Sequence, residues 1–118
     1  MTRKDLENRT KQFNVDVIKL CNLLPKTSAG FEIGRQIIRS AGSVGANYRA
    51  TRRAKSKNDF IYKVEVVIEE SDETLYWLEI IKESELIKDN DLLEKLLIEA
   101  NEITAIFTAS VKTVKQNN

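Results

Sequence analysis

Two groups of side chains in this sequence have the types and spacing to do chemistry. Arg49, Arg52, Arg53, Lys55 and Lys57 form a dense basic run. Such a run can neutralise RNA or DNA phosphates, and each neutralised phosphate releases counterions and makes binding salt-dependent. The second group is polar: Arg39, Ser43 and Asn47 follow one another in steps of four, as do Glu70, Thr74 and Leu78. On helices each set shares a face, so the two patches can meet between neighbouring helices. Hydrogen-bonded to one another, Arg39, Ser43, Asn47, Glu70 and Thr74 would fix helix register. Alternatively, Arg39 and Asn47 could grip an anion or a base, because a guanidinium suits planar acceptors.

What is missing narrows the chemistry further. The 118 residues contain no His, which removes the commonest general base, the commonest metal ligand and every triad that depends on imidazole. The carboxylates Glu65, Glu69, Glu70, Asp72 and Glu73 raise the question of a metal site, but a di-metal bundle needs Glu-x-x-His motifs. We therefore assign no catalytic residue, no metal ligand and no cofactor, and read Glu69 and Glu73 as a solvated face. The single cysteine, Cys21, sits among apolar positions and reads as a small buried hydrophobe. With no disulfide possible within the chain, no leader-like stretch at the start and no run of about 18 apolar residues, the expected setting is the cytoplasm, away from any membrane.

The charge is unevenly placed. Lys and Arg number 19 and Asp and Glu 18, yet residues 33–58 hold seven bases and no acid, whereas residues 59–102 hold 14 acids and four bases. Two readings follow from this dipole. The basic stretch is open to nucleic acid, or it faces the acidic stretch in the same or an adjacent subunit and orients assembly. Among the aromatics, Trp77 with its neighbour Tyr76 reads as a subunit contact. Tyr48 and Tyr62 flank the basic run, where they either stack unpaired bases or pack.

These groups must be positioned by helices. There is one Pro and there are four Gly, so few residues punctuate the chain and many propagate a helix. Leu6, Thr10, Phe13, Val17, Leu20 and Leu24 recur at steps of four and three, making one helical face that Pro25 ends. A second seam runs Ile33, Ile37, Ser40, Val44, Asn47, with Thr27 or Ser28 as its cap. A third opens at the Ser56 and Asp59 capping pair and runs Phe60, Val64, Val67, Ser71, Thr74, Leu78, Ile81. A fourth follows Asp91 as Leu93, Leu96, Ala100, Ile103, Phe107, Ser110, Val114. The spacing predicts helices over about residues 3–24, 28–55, 57–85 and 90–115, in one domain covering residues 1–118. Four amphipathic segments on short connections make an all-α, antiparallel four-helix bundle.

The tract Arg39-Ser40-Ala41-Gly42-Ser43-Val44-Gly45-Ala46-Asn47 tests this reading, because a glycine costs about 1 kcal/mol relative to Ala inside a helix. The unbroken stripe from Ile33 to Tyr48 still predicts helix, and the small residues Gly34, Ala41 and Gly45 allow a neighbouring helix to approach closely. A phosphate-cradling glycine loop is disfavoured, since neither G-x-G-x-x-G nor G-x-x-x-x-G-K-[ST] is present.

The run from Arg39 to Arg49, followed by Arg53-Ala54-Lys55-Ser56, Asp59-Phe60-Ile61-Tyr62-Lys63 and Glu70-Ser71-Asp72-Glu73-Thr74-Leu75-Tyr76-Trp77-Leu78-Glu79, resembles the proteins named after open reading frames in bacterial 23S rRNA intervening sequences. The resemblance extends over nearly the whole chain. It implies a left-handed up-down-up-down bundle assembled as a homopentameric ring, and no established enzyme activity. A related fold occurs in the accessory protein of diversity-generating retroelements, which binds nucleic acid and a reverse transcriptase. Many members carry Glu-Ala after Asn-Tyr-Arg, where this chain has Ala50-Thr51. The expected function is a non-enzymatic homo-oligomeric binding or scaffold module, associated with RNA or DNA through the basic second helix. The alternative is an oligomer that is purely structural or binds protein alone.

Overall fold

A computed structural model describes residues 1–117. Its elements are α1 (Arg3–Cys21), α2 (Ser28–Ala50), a short 3₁₀ turn (Thr51–Arg53), α3 (Lys57–Glu83) and α4 (Asp91–Gln116), with no strand among the described residues. Each helix starts at a side chain that satisfies an orphan amide of its first turn. Thr2 accepts from the Asp5 amide while Asp5 accepts from that of Thr2, a reciprocal capping box. Thr27 caps α2 by accepting from Gly30, and Asn90 caps α4 by accepting from Leu93. Ser56 caps α3 at the Asp59 amide, while the Asp59 carboxylate reaches one residue further back, to the Lys55 amide at 2.9 Å.

Helix ends differ from the expected ones where local bonds intervene. The first helix stops at Cys21, and Leu23 and Leu24 continue only as i→i+3 turns toward Pro25. The second stops at Ala50 rather than near residue 55. There the backbone tightens into the 3₁₀ turn, Ala54 becomes extended (φ −61°, ψ 133°), and Ser56 begins the next helix. Leaving α3, the chain passes through left-handed residues at Glu85 (φ 58°) and Asp89 (φ 35°), which lets it turn back within eight residues.

Contacts along the helices run in opposite senses. Arg3 meets Thr51, whereas Leu24 lies beside Gly34; on the other side, Glu65 pairs with Lys115 and Lys82 with Glu94. Thus α1 against α2 and α3 against α4 are antiparallel, and α2 packs on α3 to complete a bundle 49 Å long and 21 Å across. The core is the predicted seam material: Phe13, Val17 and Leu20 from α1, Ile37 and Val44 from α2, Val64, Val67, Leu78 and Ile81 from α3, and Leu93, Leu96, Ile103 and Phe107 from α4, each at most 2 % exposed. Burying such a side chain contributes roughly 1.5–3 kcal/mol, which outweighs the propensity cost of the glycines and winds the tract around Gly42 into α2.

Polar residues buried in the seams are bonded. Ser40 and Thr74, both fully buried, share a hydrogen bond at 2.8 Å between α2 and α3, and Ser71 and Thr104 share another at 2.8 Å between α3 and α4. Two seams shift by one residue near their ends: in α4 Val111 is buried where Ser110 was expected, and in α2 the shift is at Asn47. Asn47 was expected in the seam, yet Tyr48 is the residue buried there, 6 % exposed and with its ring 4.9 Å from that of Phe107, so of the two readings of Tyr48 packing holds. Asn47 is only half-buried and donates to the Ser43 carbonyl of its own helix. From Val44 a period of 3.6 continues equally well by three or by four, and the larger ring fills the space beside Phe107.

Candidate nucleic-acid interface

Of the five basic residues singled out by sequence, only Arg49 lies on α2. Arg52 and Arg53 sit in the 3₁₀ turn, Lys55 in the extended link and Lys57 at the start of α3. The basic feature is therefore a corner between α2 and α3, not a helical stripe. Thr51 shapes this corner: its buried hydroxyl donates to the Tyr48 carbonyl at 2.6 Å and accepts from Arg3 at 2.7 Å. The Arg3 guanidinium also lies 5.0 Å above the Tyr48 ring, a cation–π contact that docks the start of α1 on the end of α2. Base stacking on Tyr48 is ruled out by this burial, whereas Tyr62 is 65 % exposed on α3.

The cations of the corner have different electrostatic fates. Arg52 is bound in a fork to Glu7 of α1, whose other partner is Arg3 at 2.9 Å. The hydrogen bonds from Arg52 and then Arg3 hold the Glu7 carboxyl below its ordinary range. The Lys57 ammonium donates to the Asn117 carbonyl. Lys55 bonds Asp59 through its backbone, and the Asp59 carboxyl is held low chiefly by Lys63, with Lys55 adding a weaker field. Arg49 and Arg53 make no ion pair among the described residues.

Beside the corner runs a groove of about 380 Å³ between α1 and α2. Its floor is Gly42, Gly45 and Ala46; Lys4 and Lys11 from α1 face Arg49 and Arg52 across it, with Glu7 between them. Lys4 and Lys11 had escaped the sequence reading. Their signal was present, since they stand seven apart on the polar face of α1, opposite Leu6 and Phe13. What the sequence could not show is that this face borders Arg49.

The predicted polar network divides in three. Arg39 spans from α2 to α3, donating to Glu70 at 2.8 Å and to Glu73, and it is half-exposed. Glu73 also accepts from the Trp77 indole at 3.1 Å, and its carboxyl is held low by Arg39. Thr74 belongs to the buried pair with Ser40, while the Asn47 amide donates to the Ser43 backbone carbonyl within α2. Arg39 thus pairs with the acidic third helix, whereas Arg52 turns to α1 instead. Tyr76 is half-exposed and meets the part-buried Trp77 edge-on at 5.1 Å.

Two further grooves lie elsewhere on the bundle. A groove of about 860 Å³ between α3 and α4 is lined by Tyr62, Val66 and Val111, with Glu65 and Lys115 paired across it. Another, between the end of α1 and the start of α2, includes Cys21, Phe31 and Ile38. Burial pushes the Cys21 thiol up to about 11, so it is protonated near neutrality. No helix is long and apolar enough to cross a membrane, and no group of three metal-ligating side chains occurs among the described residues.

The fold has a solved counterpart. The chain is similar to a crystal structure of a protein of unknown function from the S23 ribosomal protein family of Bacteroides thetaiotaomicron VPI-5482, with 30 % identity and a TM-score of 0.84 over 95 % of this chain and 99 % of that one. No curated protein matches the chain. The family model for the 23S rRNA-intervening sequence protein matches residues 4–109, from the first turn of α1 to near the end of α4. By that match over nearly all of the bundle, the chain belongs to the 23S rRNA-intervening sequence protein family.

Proposed function

We propose that the protein is a non-enzymatic, homo-oligomeric binding module of the cytoplasm that associates with RNA through the basic corner between α2 and α3. The observation that carries this reading is that Arg49 and Arg53 make no ion pair among the described residues, with Lys4 and Lys11 beside Arg49 in the groove. Cations without internal carboxylates keep their field for an external polyanion. The family description, which refers to ribosomal RNA sequences, favours RNA as that polyanion. The oligomer rests on the resemblance to ring-forming proteins, and the exposed Phe31, Ile38 and Tyr76 offer apolar surface for it.

The test is fluorescence anisotropy with a labelled RNA strand across a salt series. Arg49→Gln, Arg53→Gln and Lys55→Gln together should weaken binding and reduce the slope of log K against log salt by about 2, at about 0.7 per phosphate contact on a single strand. Light scattering should report the same particle mass for both proteins. A wild-type chain that leaves RNA unbound, or a triple variant with an unchanged slope, contradicts the proposal.

A further inference from the structure

We infer that the groove between α1 and α2 seats the sugar–phosphate backbone of a single RNA strand, with Lys4, Lys11 and Arg49 on its phosphates. This rests on the RNA reading above and specifies where and in what form the strand binds. Three features of the groove support it. First, its charge is arranged for an anion. Glu7 is already engaged by Arg3 and Arg52, which leaves Lys4, Lys11 and Arg49 along the walls without ion pairs among the described residues. Lys4 and Lys11, two turns apart on α1, lie about 10 Å from one another along the groove, so they can serve successive stretches of one backbone.

Second, the floor is barer than the packing of the helices demands. A methyl group on Gly42 would approach nothing nearer than Asn14, at 3.7 Å, and one on Gly45 would lie 3.5 Å from Thr10. Both are ordinary contact distances. By contrast, a methyl on Gly30 would lie 1.9 Å from the Pro25 carbonyl oxygen. Gly30 is dictated by its neighbours; Gly42 is not, and its effect is to keep the groove open. Third, Asn14 lines the groove and its buried Oδ1 has no hydrogen-bond partner among the described residues. A ribose 2′-hydroxyl brings the missing donor when the amide turns toward the strand, and this group separates RNA from DNA.

The dimensions and lining narrow the ligand. A volume of about 380 Å³ is that of a small-ligand cleft, so a strand enters and a duplex does not. No aromatic ring lines the groove, so bases are not stacked within it and the grip is on the backbone, tolerant of sequence.

The experiment uses the full chain and a labelled oligouridylate, with Ala46→Leu as an uncharged plug. Ala46 is exposed on α2, so the variant should keep its thermal unfolding midpoint while losing at least about tenfold in affinity. A diffuse positive field would be indifferent to that substitution. In parallel, Lys4→Gln with Lys11→Gln should lower the salt slope by about 1.4, and the matching oligodeoxyuridylate should bind more weakly than the RNA. Unlabelled inorganic phosphate at the same charge concentration should compete poorly, since a free ion engages one cation at a time; equal competition would overturn the strand in favour of a simple anion site. If Ala46→Leu and the lysine pair leave binding intact while the corner variant abolishes it, the groove is overturned and the RNA reading stands. If DNA binds as tightly as RNA, the hydroxyl contact is wrong. If the wild type binds neither strand, both readings fall.

Discussion

Three glycines of α2 should respond in opposite directions to the same substitution. At Gly42 and Gly45 a methyl group meets its nearest neighbours at 3.7 Å and 3.5 Å, within normal packing, and neither residue has a positive φ. Alanine there removes backbone freedom from the unfolded chain and leaves the fold undisturbed, which stabilises by about 0.5–1 kcal/mol at each site. The double variant should gain about 1–2 kcal/mol, or roughly 4–8 °C in midpoint for a domain of this size. At Gly30 the methyl would sit 1.9 Å from the Pro25 carbonyl oxygen. Backbone atoms cannot swing aside as a side-chain end can, so Gly30→Ala should cost about 1–3 kcal/mol by forced overpacking. Urea unfolding followed by circular dichroism, with m held constant between variants, measures all three. Destabilisation by Gly42→Ala with Gly45→Ala would refute the spacing between α1 and α2. A neutral Gly30→Ala would refute the tight turn at Pro25.

Two other outcomes follow from buried groups. Thr74→Val and Ser40→Ala each remove one side of the α2–α3 hydroxyl pair, so each should cost about 1 kcal/mol, while the double variant should cost less than the sum by about 0.5–1.5 kcal/mol; strict additivity in denaturant titrations would mean that the two hydroxyls do not interact. The Cys21 thiol, raised by burial to about 11, should react with iodoacetamide about tenfold faster per pH unit from pH 7 to pH 10, because only the thiolate attacks; a plateau near pH 8.5 would show an ordinary exposed thiol.

Much of the bundle is legible in the sequence because helical periodicity and capping are local properties. Leu6 through Leu24, Val64 through Ile81 and Leu93 through Phe107 announce their buried faces by spacing alone, and Ser56 with Asp59 marks the start of α3. The end of α2 was less legible. Arg52, Arg53 and Lys55 are all competent helix formers, and the Thr51 hydroxyl bond to Tyr48, together with the cap at Ser56, is what redirects the chain. The place of Tyr48 was ambiguous for a different reason: Asn47 and Tyr48 both continue the 3.6 period from Val44, and only the space beside Phe107 selects between them.

The candidate site shows the same division more sharply. Its corner cations and its polar residues were visible as residue types, and Arg39 does reach the acids of α3. Which cations remain unpaired was not visible, since Glu7 lies 45 residues from the Arg52 that it binds.

By itself the sequence determined that this chain is helical, where its faces lie, that imidazole chemistry is closed to it, and which family it resembles. The tertiary structure alone decided that α1 lays Lys4 and Lys11 beside Arg49, and that Glu7 takes up Arg52 while Arg49 and Arg53 stay unpaired. The reason is physical: a helical face is set by neighbours three and four residues away, whereas the balance of charge in a groove is set by which distant helix ends the packing brings together.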